Sequence, residues 1–272
     1  MDSDTRRTAM QWLTDAQPAV VVEVTAALGS APRAEGTRML VSAAQAVGTI
    51  GGGHLELKAI QSAREMLRTR ELMPRSEHYP LGPALGQCCG GAVTLGFQAL
   101  APAVLALWPL QPPLFHLQLY GAGHVGRAIA TLLTTLDVVV DWIDEREEEF
   151  SPTTTLGTRW PAHIRPVCVD TVEAEVRVAP PGAYYLVLTH NHDLDMRITE
   201  AVLRRGDFGF LGLIGSKTKR QRFIHRFEHR GIAPDVIARM TCPIGVAGIS
   251  GKEPEQIAVG VVAQLLMQCG AG

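Results

Sequence analysis

Hydrophobic and polar positions follow two different patterns along this chain, and the pattern changes near residue 110. In the first part, four short apolar or β-branched runs predict strands, and one stretch with apolar residues three or four positions apart predicts a helix. The pattern therefore predicts a small α+β unit built on a mostly antiparallel sheet. The predicted strands are residues 19–27, 38–42, 47–50 and 92–97, and the predicted helix is residues 54–70.

The second part alternates dense apolar runs with stretches of helical spacing. Such alternation predicts βαβ units and a doubly wound parallel sheet. A last helix, with Pro254 in its first turn, completes this part. The predicted strands are residues 115–120, 138–143, 167–169, 184–189 and 210–214, and the predicted helices are residues 123–136, 171–178, 194–205, 217–229 and 253–268.

The fold class we expect is therefore α/β, with a C-terminal Rossmann-like doubly wound parallel sheet and a smaller N-terminal α+β domain. At about 150 residues per domain, a length of 272 residues is consistent with two domains. We expect an N-terminal α+β domain at residues 1–108, a proline-rich linker at 109–113, and the Rossmann-like domain with its C-terminal helix at 114–272.

Composition narrows the class of protein. Hydrophobic residues make up 46% and charged residues 19%, which excludes a disordered chain or a coiled coil as the overall description. The net charge of −2 gives no basic footprint for nucleic acid. The most apolar stretch, residues 99–110, is too short and too interrupted by proline to span a membrane. Five cysteines and a polar N-terminus without a signal peptide predict a cytoplasmic protein.

A glycine-rich turn follows the first strand of the second part. Gly121 would make the turn, Gly123 would let the backbone approach a pyrophosphate, and Gly126 would let the helix pack on the strand. Asp144 ends the next strand, where an acid can bind ribose hydroxyls. This combination predicts a Rossmann-type domain and makes NAD(P) a candidate ligand. Arg146 would favour a 2′-phosphate, or is an ordinary surface arginine.

Two further loops follow later strands of the predicted sheet. His190, His192 and Asp193 would line a ligand-facing loop as a metal pair or proton-transfer group, or the loop simply caps the following helix. Ser216 and Lys217 open a basic helix and would form a phosphate pocket, although a solvated basic face accounts for the rest of that helix.

The first part carries three loops of its own. Gly51, Gly52 and Gly53 precede His54 at the start of a helix, and three glycines in a row favour close approach of a ligand. Arg33 lies in an earlier loop and would bind an anion.

An adjacent cysteine pair flanked by glycines forms the third loop. A thiolate of Cys88 or Cys89 would ligate a soft metal or accept sulfur, and the alternative is an inert thiol. The sequence contains no Ser-His-Asp order, HExxH helix or Cys-x-x-Cys pair, so it gives no support to hydrolase chemistry.

Together these motifs resemble the XdhC/CoxI family, the accessory proteins of xanthine dehydrogenase and related molybdenum hydroxylases. One departure is Glu147, which stands where the family commonly has proline after an Asp-x-Arg stretch. The matching stretches are residues 29–33 (GSAPR), 48–56 (GTIGGGHLE), 85–91 (LGQCCGG), 120–126 (YGAGHVG), 189–193 (THNHD), 214–217 (IGSK) and 242–245 (CPIG).

The resemblance implies a cytoplasmic, homodimeric chaperone rather than an enzyme. Such a protein binds molybdenum cofactor (molybdopterin), presents it to a cysteine desulfurase and delivers it to the molybdenum subunit of xanthine dehydrogenase. Two alternatives are an NAD(P)-dependent oxidoreductase that uses His190 or His192, and a cysteine-based sulfur or oxo exchanger. The cysteine pair favours the carrier over the oxidoreductase, because hydride transfer gives the pair no role.

Overall fold

A computed structural model describes residues 2–81, 91–108, 112–249 and 251–269 of the chain. Contacts divide the chain into two compact units, Met1–Pro112 and Pro113–Gly272. Each unit has its own sheet and its own hydrophobic core. In these ranges, every helix is too short or too polar to cross a membrane.

The first unit is a five-stranded antiparallel sheet with the strand order β3-β2-β1-β5-β4. The central strand β1 is buried on both faces, because alternate residues join different cores. Val20 and Val22 pack with helix α2, whereas Val21 packs with Trp12 of helix α1. The elements are α1 Asp2–Thr14, β1 Ala19–Leu28, β2 Arg38–Ser42, β3 Ala46–Gly48, α2 Gly53–Thr69, β4 Arg75–Pro80, β5 Ala92–Ala99 and α3 Pro102–Ala106.

The predicted strands at β1, β2 and β5 and the predicted helix at α2 are confirmed, while α1, β4 and α3 were not predicted. Strand β4 lies at the edge of the sheet and buries only Tyr79, so it shows no apolar alternation. Strand β3 ends at Gly48 rather than at residue 50. The backbone of Gly48 has a φ of +84°, and the chain turns there into the triple-glycine loop.

The second unit is a six-stranded parallel sheet with the order β11-β10-β9-β6-β7-β8, which confirms the expected fold class. Helices α4 and α8 pack on one face of this sheet, and α5 and α6 pack on the other. The elements are β6 His116–Tyr120, α4 His124–Leu133, β7 Val139–Asp144, β8 Ile164–Cys168, β9 Tyr184–Val187, α5 His192–Arg205, β10 Phe210–Leu213, α6 Lys217–His229, α7 Pro234–Ala238, β11 Met240–Thr241 and α8 Pro254–Cys269.

Strand order reverses between β6 and β9, and ligands of such sheets bind beyond the carboxyl ends of the strands at this point. Helix α7 and strand β11 were not predicted, and two of the predicted elements differ clearly from the structure. The predicted helix at 171–178 is a 3-10 helix over Val172–Arg177. Strand β8 begins earlier than predicted. The sequence pattern missed its first residues, because it is an edge strand that includes Pro166 and buries only Ile164.

Candidate functional site

The loop between β6 and α4 contains two glycines that the fold requires and one that it leaves open. A Cβ on Gly121, whose φ is +116°, would lie 2.5 Å from the carbonyl oxygen of Leu188. A Cβ on Gly126 would lie 2.0 Å from the carbonyl oxygen of Gly121. Gly123, the N-cap of α4, would meet no atom within 4 Å. Of the three predicted glycines, only Gly123 therefore borders space that a ligand can use.

Asp144 lies where the sequence predicted a ribose-binding acid, but its carboxylate is fully engaged. Oδ1 accepts hydrogen bonds from N–H and Nε of Arg146, both at 3.0 Å. Oδ2 accepts from the backbone N–H of Ala122 at 2.7 Å and from Nη2 of Arg146 at 3.0 Å. A carboxylate offers about four acceptor positions, so none remains for a ribose hydroxyl.

The same hydrogen bonds determine the charge state of this carboxyl group. Burial favours the neutral form, but the hydrogen bonds from Arg146 and Ala122 outweigh burial and hold the pKa of Asp144 below its usual value. Arg146 is equally committed, because its Nη1 donates to Glu149 at 2.9 Å. The guanidinium is therefore not presented as a free fork for a 2′-phosphate.

The loop after β9 is held by its own hydrogen bonds. The Oδ1 atom of Asn191 accepts from the backbone N–H groups of Asp193 at 2.8 Å and Leu194 at 3.3 Å, so Asn191 caps α5. His190 and His192 approach different carboxylates. Nε2 of His190 lies 3.7 Å from Glu145, and Nδ1 of the exposed His192 lies 4.0 Å from Asp195.

The metal interpretation of this loop gains no support. Across the part of the chain that the structure describes, no three His, Cys, Asp or Glu side chains are grouped so as to hold a metal ion.

A buried ion pair beside this loop was not predicted from the sequence. The carboxylate of Asp195 accepts from N–H and Oγ1 of Thr189 at 3.0 and 2.7 Å, and from Nζ of Lys219 at 2.6 Å. Nζ of Lys219 also donates to the carbonyl of Ile214 at 2.8 Å. These bonds tie the loop after β9 to the loop after β10.

The sequence contains an ambiguous indication of this ion pair. Asp195 has a side chain only 1% exposed, on the same face of α5 as Leu194 and Ile198, which is unusual for a charged residue. Lys219 is one of several cations in the first turns of α6, so the sequence does not single it out.

A cleft of about 390 Å³ opens between the first turns of α5 and α6, next to this ion pair; we call it the α5–α6 cleft. Ser216 lies on it and caps α6 by accepting from the N–H of Lys219 at 3.1 Å. Lys217, the predicted partner of Ser216, is exposed and does not line the cleft. The lining residues are His192, Asp193, Met196, Gly215, Ser216, Thr218, Lys219, Arg222, Phe223 and Arg226.

In the first unit, the structure brings the loops predicted to be functional into contact. A Cβ on Gly51, whose φ is +125°, would lie 2.6 Å from the side chain of Pro32. A Cβ on Gly91 would lie 2.4 Å from the carbonyl oxygen of Leu28 and 2.6 Å from that of Ser30. The loop at residues 29–33 is thus packed against both the triple-glycine loop and the residue that follows the cysteine segment.

The triple-glycine loop is held by an acid from its own helix. Oε2 of Glu56 accepts from Oγ1 of Thr49 at 2.5 Å and from the N–H groups of Ile50 and Gly52, both at 3.1 Å. The space beside Gly52 stays open, since a Cβ there would meet no atom within 4 Å. The sequence placed Glu56 in the motif but did not predict this role.

Arg33, Gly53 and His54 are exposed around this loop cluster, and the guanidinium of Arg33 has no partner among the described residues. Cys88 and Cys89 lie outside the described residues. The positions on either side of that segment meet, because the N–H of Leu81 donates to the carbonyl of Gly91 at 2.8 Å.

Family models match both units of the chain. A model described as the XdhC Rossmann domain matches residues 117–265, more than half of the chain, and one described as the XdhC and CoxI family matches residues 12–79. The chain belongs to the XdhC/CoxI family. The family expected from the motifs is thereby confirmed.

Two individual comparisons extend this result. Over 261 residues, this XdhC/CoxI protein is 30% identical to an uncharacterized Escherichia coli K12 protein, YqeB; the match covers 92% of this chain but 43% of YqeB. The chain therefore spans less than half the length of that relative. A Bacillus halodurans crystal structure described as a xanthine dehydrogenase matches with a TM-score of 0.78, over 98% of this chain and 96% of that chain. The two are 19% identical, so this likeness shows the fold alone.

Proposed function

We propose that this XdhC/CoxI protein is a molybdenum cofactor-binding accessory protein. It holds the cofactor for sulfuration by a cysteine desulfurase and delivers it to the molybdenum subunit of apo-xanthine dehydrogenase. The observation that carries the proposal is the loop cluster of the first unit, where the triple-glycine loop, the loop at residues 29–33 and the flank of the cysteine segment pack together. Membership of the family supports the accessory role, and the proposal includes a cytoplasmic location and a homodimer.

The residues of the loop cluster suit the chemistry of this cofactor. Molybdenum cofactor is a phosphorylated pterin that carries molybdenum on a dithiolene. The open side of Gly52 admits a flat ring next to the backbone, and the guanidinium of Arg33, which has no partner among the described residues, can bind an anionic group. His54 is exposed beside them and can donate to or accept from the pterin. Cys88 and Cys89 are the proposed thiolate contacts of the metal or its sulfur.

The second unit carries its own, separate set of proposed contacts. The open side of Gly123 and the hydroxyl of Ser216, each at the start of a long helix, suit a phosphate group. Lys217, His190, His192 and Asp193 remain proposed contacts at the same edge of the parallel sheet.

The oxidoreductase alternative is disfavoured by the state of Asp144. An acid that binds ribose hydroxyls needs free acceptor positions, and all four positions of Asp144 are used within the protein. The residues at the end of β7 therefore do not fit the ribose of NAD(P). The sulfur-exchange alternative shares the cysteine pair with the carrier and differs from it in predicting turnover.

The test of this proposal is transfer of cofactor to apo-xanthine dehydrogenase. The protein is loaded anaerobically with molybdenum cofactor, and activation of the dehydrogenase is measured for wild type, Cys88→Ala, Cys89→Ala and the control Cys168→Ala. Cys168 is exposed and lies in the second unit. We expect at least one variant of the pair to lose delivery while the control retains it. Normal delivery by both variants would refute the thiol assignment, and a wild type that neither binds nor delivers cofactor would refute the function.

A further inference from the structure

The α5–α6 cleft is distinct from the glycine-rich loop that follows β6. None of its lining residues belongs to that loop or to the Asp144–Arg146 pair. Its volume of about 390 Å³ lies within the range of roughly 300–1,000 Å³ that is typical of small-molecule sites. Met196 and Phe223 contribute apolar surface, and the remaining lining is mostly polar or charged.

The ammonium group of Lys219 lines this cleft, and not all of its hydrogen-bond donors have a partner within the described residues. Its ammonium has three N–H donors, and the side chain is 11% exposed. Two donors are used, by Asp195 at 2.6 Å and by the carbonyl of Ile214 at 2.8 Å. One donor therefore remains for a ligand, and Asp195 fixes the position of the ammonium. A Cβ on Gly215 would lie 2.6 Å from Cδ of Lys219, so this glycine gives the lysine side chain its room.

Arg222 and Arg226 line the same cleft one helical turn apart. Neither guanidinium has an ion-pair partner within the described ranges, and two like charges at this spacing repel each other. Among the described residues, Asp193 is the one carboxylate in the lining. With Asp195 balancing Lys219, the two arginines and Asp193 leave the cleft with a net positive charge.

We propose that the α5–α6 cleft binds the phosphate group of a small phosphorylated molecule. Arg222 and Arg226 contact the phosphate oxygens, and Lys219 and the hydroxyl of Ser216 donate from the base of the cleft. The exposed edges of Met196 and Phe223, which are 8% and 3% exposed, give the organic part of the ligand a small apolar contact. Ser216 is shared with the proposed cofactor contacts, but the inference is argued from the cleft and not from the cofactor-carrier function, because any phosphate monoester of suitable size has this chemistry.

The experiment is an amide chemical-shift titration of the full-length protein with inorganic phosphate and with phenyl phosphate. Both probes are compared in wild type, in Arg222→Ala/Arg226→Ala and in the control Arg220→Ala. Arg220 lies on the same helix but does not line the cleft. We expect shifts at residues 215–226 and tighter binding of phenyl phosphate than of phosphate, because only the ester reaches Phe223.

The affinities of wild type and variants for phenyl phosphate test the proposal. Loss of two charged contacts should weaken phenyl phosphate binding by about tenfold or more, while the control stays within about twofold of wild type. Absence of shifts at residues 215–226, or equal affinity of wild type and double variant, would overturn the proposal. It would also be overturned if the double variant lost only binding to the apo-dehydrogenase, since the arginines would then form a protein interface. A second titration with molybdenum cofactor separates the two proposals, because phosphate binding without cofactor binding refutes only the carrier function.

Discussion

The guanidinium of Arg146 and the carboxylate of Asp144 form two parallel hydrogen bonds of 3.0 Å, from Nε to Oδ1 and from Nη2 to Oδ2. The pair stands at the end of β7, where the glycine-rich loop would present a nucleotide ribose to an acid. Backbone N–H groups occupy the remaining acceptor positions. The glycine fingerprint is thus compatible with a domain that keeps the Rossmann architecture. In such a domain, Asp144 stabilises the fold and does not bind a ribose.

This pair should make stability depend on pH. Since the pKa of Asp144 is lowered in the folded protein, its contribution is present above the usual value of 3.8 and is lost as pH falls through the folded pKa. Asp144→Asn should cost about 1–3 kcal/mol at pH 7. The variant should also lose less free energy of unfolding than wild type as the pH falls below about 4. Urea unfolding at several pH values measures both effects.

The matched control for this prediction is Asp170→Asn, at an exposed carboxylate in the same unit. It should follow the wild-type pH dependence. The interpretation of Asp144 would be wrong if both variants showed the same slope of unfolding free energy against pH.

The ion pair of Asp195 and Lys219 predicts that a double variant is more stable than one of its single variants. Lys219→Met leaves the buried carboxylate of Asp195 without its cation and should cost about 3 kcal/mol. The double variant Asp195→Asn/Lys219→Met removes both charges and should cost less than Lys219→Met alone, because no unpaired charge remains buried. Thermal or urea unfolding of the variants gives the comparison. A double variant less stable than Lys219→Met would contradict this account.

Asn191 should act on the helix and not on a ligand. Its side chain caps α5, so Asn191→Ala should cost about 1 kcal/mol of stability and leave cofactor affinity unchanged. His192→Ala, at the next position and 78% exposed, should change stability by less than about 0.5 kcal/mol. Equal stability of the two variants would show that the cap interpretation is wrong.

Gly52 and Gly36 form a matched pair for testing the loop cluster. Both have positive φ, +76° and +83°, and a Cβ on either would meet no atom within 4 Å. Alanine at either position should therefore cost backbone strain of about 1–3 kcal/mol, and the cost at Gly52 is expected at the upper end, because its ψ of −171° lies in a region that only glycine adopts readily. Only Gly52→Ala should weaken cofactor binding, because only that position borders the proposed pterin space. If equilibrium binding gave Gly52→Ala and Gly36→Ala the same affinity for molybdenum cofactor, Gly52 would not belong to the site.

Much of the fold was predictable because its elements carry strong periodic signals. Strand β1 is apolar at consecutive positions because both faces are buried, and α2 shows helical spacing because one face packs on the sheet. Strand β4 and helix α1 were missed since each buries few side chains. Such elements are determined by contacts with distant parts of the chain, which spacing alone does not show.

The site was predictable in its residue types but not in its contacts. The motifs identified the glycine loops, yet only the structure shows that Gly51 packs on Pro32, nineteen positions earlier. Sequence reasoning also gave Asp144 a free carboxylate and chose Lys217 over Lys219. Both choices depended on side-chain directions, which are fixed by the packing of loops against one another.

The measurement that tests the account most directly is equilibrium binding of anaerobically prepared molybdenum cofactor to the wild-type protein, with NADH and NADPH titrated in parallel. The account predicts that the cofactor binds stoichiometrically and that neither nucleotide binds at concentrations that saturate the protein with cofactor. Tight binding of NADH or NADPH without affinity for molybdenum cofactor would contradict it and make the oxidoreductase the primary hypothesis.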